Sequence, residues 1–183
     1  MSTQPLTDTR RLFFALWPDA AAVTELVGWA RRAHDVCGGR RMQADTLHLT
    51  LAFLGSVAVE RIPDLMNLLR MPRGPGGSLA LDHFGRFRGP RIVWAGSSAP
   101  APWLAALHRS LWQDLARLGF PSADEPFRPH VSLLRKAEAR DLSLLPAVRP
   151  IIWAADRLVL VASAPRETGS YYQRLGECRL AAA

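Results

Sequence analysis

Two tetrapeptides of one pattern constrain this fold most: HLTL at residues 48–51 and HVSL at residues 130–133, one in each half of the chain. In an extended strand, successive side chains point to opposite faces. Each tetrapeptide therefore places a histidine and a hydroxyl on one face, about 6.5–7 Å apart, and two apolar side chains on the other. We expect two strands whose apolar faces pack in a core and whose histidine faces line a common cleft.

Chance is a weak explanation for the pair. From average composition, one such tetrapeptide arises in roughly one chain in ten of this length, and two on the order of a few per thousand. A single copy would be interpreted as a half-buried strand with an incidental histidine. Two copies in matching contexts favour a functional pair.

The flanking patterns predict an α+β fold. Residues 11–17 form a dense apolar run typical of a buried strand, and a helix is predicted from Asp19 to about Val36, with Asp19 as N-cap and Ala22, Leu26, Trp29 and Ala33 on its buried face. A strand follows at 47–55 and a helix at 60–70. Further predicted elements are strands at 78–87 and 91–96 joined as a hairpin, a helix at 102–118, a strand at 129–134, one or two strands at 151–163, and a last strand at 171–180.

Hairpin-like pairs among these elements favour antiparallel sheet over a regular strand–helix alternation. Residues 18–55 and 102–134 repeat the order helix, then histidine strand, which indicates an internal duplication. We therefore expect one domain over residues 1–183.

The formal net charge is +7, and Lys136 is the only lysine. Guanidinium groups suit phosphate oxygens, so a polyanionic substrate or partner is favoured. A coding bias toward arginine explains the composition equally well. The N-terminus has no apolar signal core and no stretch is apolar enough to span a membrane, so we expect a cytoplasmic protein without membrane association.

The paired motifs suit hydrolysis of a cyclic phosphodiester. One neutral histidine can take a proton from the attacking water while a protonated one donates to the leaving oxygen. The hydroxyls can donate to the non-bridging phosphate oxygens. Residue chemistry alone leaves open which histidine has which role.

The chain resembles the 2H phosphoesterase superfamily and, within it, the RNA 2′,3′-cyclic phosphodiesterase family, also known as 2′-5′ RNA ligases. The two motifs carry the resemblance, and RLFFALWP near the start, PRIVWAG at 90–96, PFRPHVSLLR at 126–135 and GSYY at 169–172 support it. It implies a bilobal fold of two pseudo-symmetric lobes, each an antiparallel sheet with helices, and an active site in the cleft between them. It also implies metal-independent opening of a 2′,3′-cyclic phosphate to a 2′-phosphate.

The same resemblance implies that His48 is the proton donor and His130 the proton acceptor. Thr50, Ser132 and Arg135 would bind phosphate. Ser132 stands where the family more often has threonine, which keeps the hydroxyl but restricts its rotamer less.

No cofactor and no metal are expected, since the zinc-binding spacings of histidine and cysteine are missing from the sequence. The expected partners are RNA or nucleotide 2′,3′-cyclic phosphate ends, and the expected state is a monomer. Two alternatives remain, 2′-5′ ligation at the same site and an RNA-binding module without turnover. Phe84, Phe127 and Tyr172 could stack on a nucleobase, although ordinary packing is the preferred interpretation of each. Trp17 and Trp94 are predicted to be core residues.

Overall fold

The computed structural model describes residues 8–71, 73–99, 101–121, 126–138, 141–166 and 169–181. It contains three α-helices, α1 (Ala20–Cys37), α2 (Ile62–Arg70) and α3 (Pro102–Arg117). The strands are β1 (Thr9–Leu16), β2 (Arg40–Arg41), β3 (Leu49–Ala58), β4 (Gly77–Leu81), β5 (His83–Phe87), β6 (Ile92–Gly96), β7 (His130–Arg135), β8 (Ile151–Ala155), β9 (Arg157–Arg166) and β10 (Gly169–Arg179).

One antiparallel sheet dominates, with strand order β10-β9-β1-β3-β7-β6-β5 and β2 paired to β7. A second sheet holds only β4 and β8. The predicted α+β class with antiparallel pairing is confirmed. The two histidine strands, β3 and β7, are neighbours at the centre of the large sheet, where Leu49 lies directly opposite Val131.

Helix α1 forms as its sequence predicts. The Asp19 carboxylate accepts a hydrogen bond of 2.8 Å from the Ala22 backbone N–H and so caps the first turn. The four predicted positions are all buried, together with Ala30 and Cys37. This face packs against β7 and β8. None of the helices that the structure describes is long and apolar enough to cross a membrane.

The predicted strand at 78–87 is wrong in one respect, because it is two strands. β4 pairs with β8 in the small sheet, whereas β5 pairs with β6 in the large one. The change of sheet falls at Asp82, whose carboxylate accepts a hydrogen bond of 2.9 Å from the Ser98 backbone N–H. The Asp82 carboxylate also accepts a bond from the Ser98 hydroxyl. These bonds fix a corner that an apolar pattern does not reveal.

The large sheet is buried on both faces at β1. Leu12, Phe14 and Leu16 face the main core, which the helices cover, while Phe13 and Ala15 join a smaller cluster on the opposite face. Trp17, Val159 and Val161 complete that cluster. The histidine side chains lie on this second face.

Packing of α3 against the sheet gives a direct stability prediction. Leu111 is fully buried on α3, so Leu111→Ala removes its core contacts and leaves a cavity. The free energy of unfolding should fall by about 2–5 kcal/mol, measured by urea denaturation. Leu144→Ala is the matched control, since Leu144 is 74% exposed and a change of about 0.5 kcal/mol or less is expected. Equal losses in the two variants would contradict the packing described here.

Candidate active site

The paired tetrapeptides alternate as the sequence predicts. Their apolar residues, Leu49, Leu51, Val131 and Leu133, are buried, while their polar residues, His48, Thr50, His130 and Ser132, are half-buried. Because β3 and β7 are antiparallel and matched at Leu49 and Val131, the flanking residues also lie across from each other. Thr50 is therefore beside His130, and His48 is beside Ser132.

This register relates the two motifs by a local twofold arrangement. The matched residues, Leu49 and Val131, are each the second residue of their motif. Each histidine is consequently next to the hydroxyl residue of the other strand. The arrangement brings two imidazoles and two hydroxyl side chains together on one face of the sheet.

Backbone carbonyls fix the protonation pattern of both imidazoles. His48 Nδ1 lies 2.7 Å from the Thr46 carbonyl oxygen, and His130 Nδ1 lies 2.7 Å from the Arg128 carbonyl oxygen. A carbonyl can only accept, so each Nδ1 must carry a proton and donate it. In a neutral ring the Nε2 atom is then the base, and it is the atom left for chemistry.

The two Nε2 atoms differ in their partners. His48 Nε2 lies 3.1 Å from the Thr50 hydroxyl oxygen, and a neutral ring with its proton on Nδ1 accepts this bond from the hydroxyl. Among the residues that the structure describes, His130 Nε2 has no hydrogen-bond partner. The two imidazoles are therefore alike in tautomer and different in environment.

Aromatic rings surround His48. The Phe13 ring centroid is 4.8 Å away, the Trp17 ring stacks at 5.5 Å with an interplanar angle of 11°, and the Tyr172 ring meets it edge-on at 5.3 Å. Trp17 is a buried residue as predicted, with 4% of its surface exposed. Sequence reasoning missed that its ring also packs on the imidazole.

His130 has its own aromatic surroundings. The Phe87 ring lies edge-on at 4.8 Å and the Trp94 ring at 6.0 Å. A Cβ at Gly85, which pairs with Trp94 across the strands, would lie 2.1 Å from the indole ring. Only glycine therefore lets Trp94 lie flat over the neighbouring strand and reach His130.

Burial lowers the pKa of both histidines. For His48, desolvation is the main cause and brings the pKa to about 4. Repulsion from His130 and Arg135 adds to this effect, and the bond to the Thr46 carbonyl opposes it. For His130, desolvation lowers the pKa while the bond to the Arg128 carbonyl opposes it. Both rings are therefore neutral at pH 7 in the empty site, and a bound anion would favour protonation.

Cavities flank the imidazoles on two sides. On one side, a cavity of about 280 Å³ is lined by His48, Thr50, Arg135 and Tyr172 among others. A second cavity of about 240 Å³ shares Arg135 and Tyr172 and adds Arg40 and Arg41. Arg135 thus lies between the two small cavities and close enough to His48 to affect its pKa. Its contact with an anionic substrate remains a prediction.

On the other side lies a wider opening, which we call the large groove. It has a volume of about 1050 Å³, and its inner end is formed by Thr50 and His130. Its walls include Phe87, Arg88, Trp112, Phe127 and Arg128.

Phe53 is a site residue that the sequence does not reveal. Ala15 pairs with Thr50 but Phe14 pairs with Ala52, so Leu51 is an extra residue in β3. Such a bulge reverses the alternation that follows it. Phe53 consequently lies 51% exposed and lines both a small cavity and the large groove. The bulge is visible in the burial pattern, because the adjacent residues Leu51 and Ala52 are both buried.

Phe84, one of the stacking candidates, and the neighbouring His83 have structural contacts. Phe84 packs against Trp29 at 4.9 Å, which supports the packing interpretation. His83 pairs with Asp82 at 2.7 Å. Within the described residues, no group of three or more histidine, cysteine, aspartate or glutamate side chains could hold a metal ion.

Comparison with known proteins assigns the family. A family model described as the 2′-5′ RNA ligase superfamily matches residues 17–166, a range that includes both histidine motifs. The chain belongs to the 2′-5′ RNA ligase superfamily. This membership confirms the resemblance seen in the sequence.

Proteins named RNA 2′,3′-cyclic phosphodiesterase are similar to this chain over most of their length. The RNA 2′,3′-cyclic phosphodiesterase of Escherichia coli K12 is 38% identical over 132 residues, 72% of this chain and 75% of the relative. The enzyme of the same name from Thermotoga maritima is 32% identical over 78% of this chain and 80% of its own length. A crystal structure of E. coli LigT complexed with 3′-AMP superposes with a TM-score of 0.80 at 33% identity, covering 94% of this chain and 99% of LigT.

The lowered pKa of His48 predicts an acid-sensitive fold. Between pH 6.5 and about 4 the unfolded chain binds more protons at this residue than the folded chain, so the free energy of unfolding falls as the pH drops. The contribution of His48 to this loss is about 3 kcal/mol between pH 7 and pH 4. Urea denaturation across this range should show a weaker pH dependence in His48→Gln than in the wild type. Carboxylates titrate in both proteins, so curves of equal slope in the two would contradict the desolvated, neutral state of His48.

Proposed function

We propose that this protein hydrolyses RNA or nucleotide 2′,3′-cyclic phosphodiesters to 2′-phosphomonoesters by acid–base catalysis with two histidines. The observation that carries the proposal is the pair of imidazoles on one face of the sheet, each with Nδ1 bonded to a backbone carbonyl so that Nε2 faces the site. Its relatives named RNA 2′,3′-cyclic phosphodiesterase support the substrate class. The working unit is one bilobal domain over residues 1–183.

In this mechanism His130 is the base. Its Nε2 takes a proton from water while the water oxygen bonds to phosphorus, and the bond from phosphorus to the 3′-oxygen breaks. His48 donates the Nε2 proton that the leaving 3′-oxygen needs. Each turnover moves one proton onto His130 and one off His48, and exchange with solvent restores both rings.

The different environments of the two rings support these roles. His130 Nε2 has no hydrogen-bond partner among the described residues and borders the large groove, so water has access to it. His48 is the more strongly desolvated ring, with its pKa lowered to about 4. The negative charge of the bound substrate favours protonation of the His48 ring. The protonated ring is then a strong acid, which readily gives its proton to the departing alkoxide.

Three further side chains would hold the phosphate group. Thr50 bonds to His48 Nε2 in the empty site, and turning its hydroxyl toward a phosphate oxygen would free that nitrogen. Ser132 supplies the equivalent hydroxyl beside His48 across the strand pair. Arg135 would bind a phosphate oxygen from the small-cavity side, where it balances the negative charge that develops on the non-bridging oxygens.

The remaining properties follow from the same chemistry. Proton transfer and hydrogen-bond donors can carry the reaction, so we infer that no metal or other cofactor takes part. We also infer that the protein acts as a monomer in the cytoplasm on cyclic phosphate ends of RNA. Ligation to a 2′-5′ linkage at the same site is the second candidate, since the family model is described by that activity.

Hydrolysis of 2′,3′-cAMP in the presence of EDTA tests the proposal. The wild type should release 2′-AMP, and His48→Ala or His130→Ala should lower kcat by about 10²–10⁴-fold, the usual contribution of one acid or base. His34→Ala is the matched control, because His34 lies on α1 rather than at the site.

The other outcomes separate the alternatives. Dependence on added metal would contradict the mechanism. Intact substrate together with tight RNA binding would indicate an RNA-binding module without turnover. Full activity in either site variant would contradict the two-histidine assignment.

A further inference from the structure

The large groove is much bigger than the reaction at phosphorus requires. A water molecule occupies about 30 Å³, whereas this groove has a volume of about 1050 Å³ and extends from His130 along Arg88, Trp112 and Phe127. The described cavities on the His48 side are about 280 and 240 Å³. Delivery of water to His130 therefore does not explain its size.

Flat aromatic surfaces line one wall of the groove. The Phe127 ring stacks on the His108 ring with centroids 3.8 Å apart and an interplanar angle of 12°. Trp112, one turn farther along α3, lies with its ring 6.4 Å from His108. Desolvation lowers the pKa of His108, so its ring is uncharged at neutral pH. The stack is therefore a neutral aromatic platform, of the kind on which nucleobases stack.

The lining of the groove is also basic. Arg88 and Arg128 are exposed there, and no Asp or Glu is among the described residues that line the groove. Neither arginine has an ion-pair or hydrogen-bond partner for its side chain within the described part of the chain. Guanidinium groups in reach of an aromatic platform are the combination that holds the phosphates and bases of a single strand.

We propose that the large groove binds at least one further nucleotide of single-stranded RNA, in addition to the nucleotide that bears the cyclic phosphate. The base stacks on the Phe127 platform, and Arg88 contacts the phosphate that follows it. The inference rests on the proposed function, because it places this nucleotide next to the phosphorus that His130 serves. The nucleotide belongs either to the strand with the cyclic end or to a second strand.

Comparison of two substrates tests the groove. The wild type should have a KM about tenfold lower for an adenosine hexaribonucleotide with a 2′,3′-cyclic phosphate end than for 2′,3′-cAMP. Phe127→Leu keeps an apolar side chain but removes the flat ring, and Arg88→Gln removes one exposed charge. Each should reduce the ratio of kcat/KM for the hexamer to kcat/KM for the mononucleotide several-fold. Arg31→Gln, at an exposed position on α1, is the control and should keep the wild-type ratio.

Salt dependence provides a second readout that loss of folding would not mimic. One lost phosphate contact should flatten the slope of log(kcat/KM) for the hexamer against log salt concentration by about 0.7 in Arg88→Gln. Phe127→Leu should keep the wild-type slope, because it changes stacking and no charge.

A hexamer with free 5′- and 3′-hydroxyl ends distinguishes the two sources of the nucleotide. If the groove holds a second strand, this hexamer should inhibit hydrolysis of 2′,3′-cAMP, and Phe127→Leu should weaken the inhibition. Equal KM values for the two cyclic substrates, without such inhibition, would overturn the proposal. So would a preference for the cyclic hexamer that stays at the wild-type level in both Phe127→Leu and Arg88→Gln. Failure of the wild type to hydrolyse either cyclic substrate would instead contradict the proposed function.

Discussion

The pairing of β3 with β7 is the constraint on which the site depends. Leu49 and Val131 meet at the centre of the sheet, both completely buried, and both strands continue into the main core. Because side chains alternate, this one match places both histidines and both hydroxyls on the opposite face. A slip of one residue in either strand would move its histidine into the core. The site is therefore held by apolar burial, and the polar groups themselves need contribute little to its geometry.

In the empty site both imidazoles are neutral and desolvated, a state that favours binding of an anionic substrate over contact with water. Aromatic rings desolvate them and carbonyl bonds fix their Nδ1 protons, so the empty site contains two neutral bases, of which His48 lies close to Arg135. Binding an anionic phosphodiester supplies the charge that makes one imidazolium favourable. The strongly lowered pKa of His48 is thus a property of the empty site that the substrate reverses.

Much of this arrangement could be predicted from the sequence, because it follows from local periodicity. The buried face of α1 and the alternation in both histidine strands need only the spacing of apolar residues, and the cap of α1 needs only Asp19 before it. Phe53 could not be predicted, since its position depends on a bulge opposite β1. The corner at Asp82 was likewise hidden, because it depends on hydrogen bonds to Ser98. For Trp17, burial was predicted correctly, but the contact of its ring with the His48 imidazole was not.

Long-range ¹H–¹⁵N correlation spectra of the histidine rings test the electrostatic state of the site most directly. At pH 7 without ligand, both His48 and His130 should be neutral with the proton on Nδ1. Saturation with the product nucleotide 2′-AMP should add a proton to Nε2 of one of the two rings. A proton on Nε2 of either ring in the free protein, or two rings that stay neutral in the complex, would contradict the two-histidine mechanism.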